Sequence, residues 1–345
     1  MSNFLDLAES ENAAPPAPAL RRRHLFVVNP RSFRFTGGPA GIIAEIDACF
    51  QNNTEEYHIH VSRYPRDAIG VVRKFAAAEA EAVVRVYAVG GNGILFDCLN
   101  GIVDIARAEL AIIPYGNTND FVRSFGEDKL PLFRDIARQI TAGTIKTDII
   151  YCGSNYALNF CTVGVESASI MYAMRLNRLL DWAIRISRRV VPFLFILGGI
   201  IAAWNKKTRE QRYSVTLDGE RADGAYAAIN IANGPCYGGD KSAVTGALPN
   251  DGLLDALLLK SVSALQTLRI LPGYLRGGYY KYPDLFRYIR ARKVEISSAT
   301  PILVNLDGEV FFDTNITVEV VPQAVSIVAV DGLEYRRRPD AREPQ

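Results

Sequence analysis

Short apolar runs alternate with longer amphipathic stretches between residues 24 and 142. The apolar runs predict buried strands at 25–30, 57–62, 83–89 and 109–114, and the amphipathic stretches predict helices at 42–50, 66–80, 95–106 and 132–142. Strands and helices that alternate in this way are typical of a parallel sheet with helices on both faces. The pattern therefore predicts an α/β domain over residues 23–147.

From residue 148 onwards the period shortens to that of β-strands. Strands are predicted at 148–152, 156–163, 213–217, 224–232, 253–260, 293–297, 302–307 and 316–320, with helices only at 168–204 and 264–280. This pattern predicts a mainly β domain over residues 148–322. Residues 323–345 are predicted to hold a strand that returns to the first domain and a charged tail, and residues 1–22, with their Ala-Pro repeats, a flexible leader.

The composition excludes several classes of protein. The 345 residues include 39 Lys and Arg against 37 Asp and Glu, a net charge of +2, which lacks the basic excess of a dedicated nucleic-acid binder. Five cysteines without a C-x-x-C pair and three histidines without a paired ligand motif indicate neither a disulfide framework nor a zinc site. We therefore expect a reduced, cytoplasmic protein with no nucleic-acid partner.

Two polar loops follow predicted strands of the first domain. Gly90, Gly91, Asn92 and Gly93 stand between a strand and a helix, where backbone amides and the helix dipole favour phosphate, although a plain tight turn has the same residues. The second loop, at 114–121, has the alternative interpretation that its Asn or Asp only caps a helix. Because the carboxyl ends of parallel strands face one crevice, two such loops predict a ligand site there.

Two acidic turns mark the second domain. Asp251 lies in a turn at 246–255, and Asp307 and Glu309 lie at the end of a predicted strand. Asp-Gly is a common hairpin signal, so each turn alone is explained by local structure. Together the two turns predict a second group of functional side chains.

Six motifs in one order resemble the soluble bacterial diacylglycerol kinase family, relatives of the sphingosine kinases. They are Asn29-Pro30, Gly90–Gly93, Pro114–Phe121, Asn233–Asp240, Pro249–Asp255 and Asn305–Glu309. The resemblance implies a fold of the α/β plus mainly β class, with a Rossmann-like parallel-sheet nucleotide-binding domain, a β-sandwich-like domain and an active site in the cleft between them. It also implies ATP- and Mg²⁺-dependent phosphorylation of a lipid hydroxyl, such as that of diacylglycerol, to give phosphatidic acid.

The resemblance assigns roles to individual residues. Glu309 would be the base that takes the proton of the lipid hydroxyl, with Asp307 beside it. A structural Mg²⁺ would be held by the Asp251 carboxylate and the carbonyls of Leu248 and Leu253, which are oxygen ligands of the kind this ion prefers. The implied nucleotide-binding residues are Asn29, Ser62, Gly90, Gly91, Asn92, Gly93, Ile94, Asn117, Thr118 and Asp120.

The nucleotide loops depart from the family pattern. The usual GGDGT reads GGNGI, so Asn92 replaces an Asp and Ile94 a Thr, and Asn117 replaces another Thr beside Thr118. Asp97 and Asp120 remain as nearby carboxylates that would recruit Mg²⁺. Two alternatives follow: a degenerate member that binds nucleotide or lipid without phosphoryl transfer, and an enzyme like the NAD kinases, which share a similar loop.

Basic residues are concentrated in two segments of the second domain. Residues 175–212 carry nine basic and two acidic side chains around the apolar run at 190–204, and residues 269–293 carry seven basic side chains and one acidic among tyrosines. The apolar run reaches about 22 Å as a helix, short of a hydrocarbon core of about 30 Å. Together with a lipid substrate, these basic segments predict peripheral contact of the protein with an anionic phospholipid surface. The alternative interpretation is that the basic residues form a solvated helix face and that the aromatic residues belong to an ordinary core. An Ile-rich edge strand would also permit a homodimer.

Overall fold

Residues 21–34, 36–116, 118–179, 190–238, 243–330 and 332–336 are described by the computed structural model of the chain. Nearly all of the predicted leader, the last nine residues of the predicted tail and Asn117 lie outside these ranges.

Four parallel strands form the sheet of the first domain, in the order β2-β1-β3-β4. The strands are β1 (Arg22–Val28), β2 (Glu56–Val61), β3 (Val83–Gly90) and β4 (Ala108–Pro114), and the helices are α1 (Ala40–Phe50), α2 (Asp67–Ala78), α3 (Asn92–Ile102), α4 (Leu130–Arg134) and α5 (Ile136–Thr141). The single helix predicted at 132–142 is thus divided in two. Asp135 interrupts it, because its extended backbone and its side-chain hydrogen bond to the Arg138 amide make it the N-cap of α5.

The second domain consists mainly of antiparallel strands. They are β5 (Gly143–Cys152), β6 (Asn155–Ala157), β7 (Phe160–Gly164), β8 (Arg212–Leu217), β9 (Glu220–Arg221), β10 (Gly224–Ala232), β11 (Leu254–Lys260), β12 (Phe286–Ala291), β13 (Lys293–Leu306) and β14 (Glu309–Ala329). The helices are α6 (Val165–Leu179), α7 (Val190–Trp204), α8 (Lys206–Arg209) and α9 (Ala264–Tyr274). Strand β12 lies inside the basic, tyrosine-rich segment and was not predicted.

The long strand β14 connects the two domains. Its first part pairs antiparallel with β13, and its last part pairs antiparallel with β5 and parallel with β4 through Ser326 and Ile327. The return strand predicted from the sequence is therefore the end of β14 rather than a separate element. Strand β14 bends at Gln323, between its two parts. Gln323 has a φ of 50°, and its amide donates to the buried Asp148 carboxylate at 2.8 Å.

Apolar side chains on the strands explain why both domains form. In the first domain the fully buried Phe26 and Tyr87 stack at 4.0 Å between neighbouring strands, and Val325 and Ile327 of β14 belong to the same core. The second domain buries two further clusters of its own. The hydrophobic cores thus hold the carboxyl ends of β1 to β4 close to the start of β14, where Glu309 stands.

Candidate active site

The loops that follow β1 to β4 meet at one edge of the sheet. The Asn29 amide donates to the Val89 carbonyl at 3.0 Å, the Ser62 amide to the Val28 carbonyl at 2.9 Å, and the Tyr115 amide to the Gly90 carbonyl at 2.8 Å. These bonds prolong the ladder beyond the strands. The four loops are consequently fixed side by side, as expected for a ligand site of an open α/β sheet.

Glycine is required where the two polar loops touch. A Cβ on Gly116 would stand 2.3 Å from the Gly91 Cα, and a Cβ on Gly90 would stand 2.9 Å from Ile94 Cγ2. Gly91 precedes α3 without a capping side chain. The first amides of this eleven-residue helix therefore remain available, together with the positive end of its dipole, for an anionic group.

Asn92 joins the two loops through its side chain. Its Nδ2 donates to Asp120 Oδ2 at 2.5 Å and to Thr118 Oγ1 at 3.1 Å, and its Oδ1 accepts from the Asp120 amide at 3.1 Å. An aspartate at this position could not donate to Asp120. The amide of Asn92 therefore donates a hydrogen bond to Asp120, where an aspartate would leave two carboxylates that need a proton or a cation between them.

A cleft of about 210 Å³ runs between the loops and the second domain. Asn29, Ser62, Gly93 and Ile94 line it from the first domain, and Glu309 lines it from the second. These five predicted site residues come from distant parts of the chain. The cleft is thus the place where both sets of predicted residues meet.

Arg66 connects the two carboxylates of this cleft. Its Nη2 donates to Glu309 Oε2 at 3.2 Å, its Nη1 lies 3.7 Å from Asp97 Oδ1, and its amide donates to Asp97 Oδ2 at 3.2 Å. The guanidinium also stacks 4.4 Å from the centre of the Phe96 ring. Arg66 has a φ of 68°, a left-handed conformation that is uncommon for arginine, and its contacts with Asp97 hold it there.

Burial shifts the titration of Asp97. Removal of this carboxylate from water raises its pKa, Arg66 opposes the rise and the neighbouring Glu309 charge adds to it, with a net pKa of about 6. A carboxyl group with such a pKa changes its protonation state near neutral pH, which is a common property of groups in functional clefts.

Asp307 lies behind the cleft rather than in it. Its buried carboxylate accepts hydrogen bonds from the amides of Leu158, Asn159 and Phe160, at 2.7 to 3.2 Å. Burial raises the pKa of Asp307 to about 6, while these amides, which stabilise the charged form, limit the rise. The side chain predicted to stand beside the base therefore fixes the turn between β6 and β7.

The turn predicted to hold Mg²⁺ lies outside the cleft lining, and its one carboxylate is already paired with an arginine. Asp251 is the only charged group among the predicted ligands, and its Oδ2 is paired with the Arg290 guanidinium while its Oδ1 accepts from the Leu253 amide at 3.2 Å. Arg290 Nε also lies 3.5 Å from the fully buried Asp255. Among the residues that the structure describes, no group of three or more acidic, His or Cys side chains could hold a metal ion. Arg290 supplies the positive charge at this turn.

Replacement of Arg290 by Met should therefore destabilise the second domain. We expect the free energy of unfolding to fall by about 1–3 kcal/mol, because Asp255 would stay buried without its cation. Each kcal/mol corresponds to a decrease of roughly 2–4 °C in Tm. Thermal unfolding in EDTA and in Mg²⁺ measures this. The wild-type Tm should not change with Mg²⁺, whereas Mg²⁺ should restore part of the loss in Arg290→Met.

The matched control is Arg287→Met on the same strand, since Arg287 pairs with the exposed Glu220. It should leave the Tm nearly unchanged. A wild-type Tm that rises with Mg²⁺ and no longer does so in Asp251→Asn would contradict the assignment of Arg290.

Six of the twelve residues that line the cleft were predicted from the sequence, Asp97 included, but Arg66 was not. Gly90 and Gly91 lie beneath the lining, and Asn92, Thr118 and Asp120 form the adjacent hydrogen-bonded group. The sequence feature that could have indicated Arg66 is its position with Arg63 in a short polar run between a strand and a helix.

Comparison with known proteins agrees with this arrangement. The family described as "Diacylglycerol kinase catalytic domain" matches residues 23–152, and the family described as "YegS C-terminal NAD kinase beta sandwich-like domain" matches residues 184–329. A Staphylococcus aureus (strain MRSA252) protein named "Putative lipid kinase" is 23% identical over 295 residues, which cover 84% of this chain and 92% of that protein.

Two solved structures share the fold. The structure titled "A putative diacylglycerol kinase from Bacillus anthracis str. Sterne" has a TM-score of 0.66 at 21% identity, over 90% of this chain and 98% of that one. A second, titled as a diacylglycerol kinase from the same organism, has a TM-score of 0.63 at 19% identity, over 92% and 100%. With both domain families present in order, the chain belongs to the family of diacylglycerol kinase and YegS-like proteins.

Proposed function

We propose that this chain is a lipid kinase that transfers the γ-phosphate of ATP to the hydroxyl of a diacylglycerol-like lipid, giving a phospholipid such as phosphatidic acid. The observation that carries the proposal is the position of Glu309, which faces the nucleotide-type loops of the other domain across one cleft. The names of the relatives support the kinase class.

The first domain provides a surface for phosphates. The glycines at the start of α3 leave its first amides free, and Arg31, Arg63 and Arg66 line the same cleft. Phosphoryl transfer is catalysed mainly by positioning and by neutralising the charge of the γ-phosphate. These cations and amides fit that role for ATP.

Glu309 fits the role of general base. The lipid hydroxyl oxygen would form its bond to the γ-phosphorus while the bond to the ADP oxygen breaks, and the hydroxyl proton would pass to Glu309. Arg66, 3.2 Å from Glu309, positions this carboxylate. When bound with ATP, Mg²⁺ would supply positive charge to the phosphates, and Asp97 is the carboxylate of the cleft that would hold it.

Transfer of radiolabelled phosphate from ATP to a panel of lipids in mixed micelles tests the proposal. The panel contains diacylglycerol, monoacylglycerol and sphingosine, and NAD serves as the non-lipid acceptor. We expect label in a lipid, and only with Mg²⁺. Label in NAD alone, or in no acceptor, would exclude the lipid kinase.

Asn92 favours a second candidate function, in which the chain binds nucleotide or lipid without transfer. Its amide is hydrogen-bonded to Asp120, so the pair offers one carboxylate to a cation rather than two. A neutral amide is a weaker ligand for Mg²⁺ than a carboxylate.

Asn92→Asp separates the two candidates. The new carboxylate would face Asp120 at hydrogen-bond distance, so we expect a loss of roughly 1–3 kcal/mol in stability without divalent cations, and recovery of Tm when Mg²⁺ binds between the carboxylates. Asn92→Ala, which removes the same hydrogen bonds and adds no charge, is the control and should not respond to Mg²⁺. Phosphate transfer by Asn92→Asp but not by the wild type would support the non-catalytic candidate.

A further inference from the structure

Helix α7 turns its small side chains and Leu194 inward and most of its described large side chains outward. Gly198 packs so closely on α6 that a Cβ there would stand 2.6 Å from the Ser169 carbonyl oxygen, and Ala202 and Ala203 are fully buried. Asn205, just after the helix, donates to the Tyr172 hydroxyl at 3.1 Å. The contact with α6 thus fixes α7 in this orientation, which reverses the usual placement of large apolar residues in a protein interior.

Apart from Phe195, the exposed large apolar side chains of α7 form one continuous stripe. They recur at spacings of three and four residues, which places them on one face of a helix. We call this set the α7 apolar face; it consists of Phe193, Ile196, Leu197, Ile200, Ile201 and Trp204. Phe193 is 69% exposed, Ile196 61% and Trp204 56%, although such residues normally lose water contact when a domain folds.

Cations lie at both ends of the α7 apolar face. Arg175 and Arg178 are exposed at the end of α6, and Lys206 and Lys207 are exposed directly after α7. The described acidic partner is Glu210, which pairs with Lys206 at 3.7 Å. An apolar stripe between exposed cations matches a surface that is apolar inside and negatively charged outside.

We propose that the α7 apolar face docks on an anionic lipid bilayer, with α7 lying in the plane of the interface. No helix in the described part of the chain is both long and apolar enough to cross a bilayer, so the helix would lie on the surface. Trp204 would stand at the level of the headgroups, where tryptophan is favoured. The assignment of a membrane, rather than a protein, as the binding partner of the α7 apolar face rests on the proposed function, in which the substrate is a lipid.

The docking face is connected to Glu309 through α6. Ala168 of α6 belongs to the same apolar cluster as Leu303 of β13, and Met171 and Val310 pack against that cluster. Val310 follows Glu309 directly in β14. Docking of α7 would therefore place the cleft close to the bilayer that contains the lipid substrate, with only α6 between α7 and the strands that carry Glu309.

Vesicle flotation of the full chain without ATP tests the docking. The vesicles are phosphatidylcholine alone, or equal parts of phosphatidylcholine and phosphatidylglycerol. We expect the wild type to float with the anionic vesicles. The double variant Phe193→Ser with Ile196→Ser should bind these vesicles at least about tenfold more weakly, and so should the double variant Lys206→Gln with Lys207→Gln. The matched control, Phe193→Leu with Ile196→Leu, keeps the face apolar and should float like the wild type.

Trp204 reports the depth of docking. The protein has two tryptophans, so Trp182→Phe leaves Trp204 as the single emitter. Its fluorescence should shift to shorter wavelength with anionic vesicles and stay unchanged with phosphatidylcholine vesicles. If the wild type is a dimer that Phe193→Ser with Ile196→Ser converts to monomer, and both forms float equally, the occupant is a second copy of the chain and the proposal fails.

Vesicle binding and phosphate transfer can fail independently of each other. Vesicle binding is measured without chemistry, and a water-soluble short-chain diacylglycerol measures transfer without a bilayer. The Phe193→Ser with Ile196→Ser variant should phosphorylate the short-chain lipid like the wild type and lose activity only on vesicles. Absence of transfer to either substrate with intact flotation would reject the kinase alone, whereas equal activity of this variant on vesicles would reject the docking face.

Discussion

Glu309→Gln is expected to lower phosphate transfer to lipid by about 10²–10⁴-fold, the usual contribution of a general base. Glutamine keeps the size and a hydrogen-bond acceptor for Arg66 but cannot accept the hydroxyl proton. The loss should appear in kcat more than in KM, because the shape of the cleft is retained. Initial rates with saturating ATP measure it.

The stability of this variant should hardly change. Glu309 and Arg66 are both more than one third exposed, and an ion pair at such a position contributes at most about 1 kcal/mol. Glu319→Gln on the same strand, where Glu319 pairs with Lys293 at the surface, serves as the control for both measurements. Transfer that survives in Glu309→Gln at more than about one tenth of the wild-type rate would remove the base role from Glu309.

Asp307→Ala should have the opposite effect, with a large loss of stability. The amides of Leu158, Asn159 and Phe160 would be buried without their acceptor, at a cost of about 1–3 kcal/mol each when left unsatisfied. Asp307 also has a φ of 48°, which Asp tolerates better than Ala. We expect a total loss of roughly 3–5 kcal/mol, measured as a lower midpoint of urea unfolding.

Asp307→Asn provides the informative comparison. Asparagine tolerates the same backbone conformation and keeps one acceptor oxygen, so it should destabilise the protein less than alanine. If Asp307→Ala folded with wild-type stability and lost transfer, Asp307 would be catalytic as the resemblance implied, and the structural role would be wrong.

Motifs in the sequence predicted the glycine-bearing loop at the cleft because close approach of two loops requires a particular residue type. Glycine is the one residue that permits the contact between Gly91 and Gly116, and this requirement is visible in the letters themselves. The sequence could not decide which of Asp307 and Glu309, two residues apart, lies in the cleft. The turn at Gly308 directs one carboxylate to backbone amides and the other into the cleft, and that difference depends on the packing of β6, β7 and β13.

The Mg²⁺ turn shows a similar limit. The family resemblance implies a cation site at Leu248, Asp251 and Leu253, yet the cation beside Asp251 in the structure is Arg290, from a strand that the sequence pattern did not reveal. Contacts between residues distant in the chain cannot be read from a local motif.

By itself the sequence determined most of the order of strands and helices, the α/β and β-rich character of the two parts and the glycine-bearing loops, because periodicity and glycine requirements act over a few residues. Only the tertiary structure decided that β14 runs through both domains, that Arg66 joins Asp97 to Glu309, and that α7 turns its large side chains outward. The physical reason is that these features depend on which distant surfaces pack together. The fit of Gly198 against Ser169, for example, sets the orientation of a whole helix.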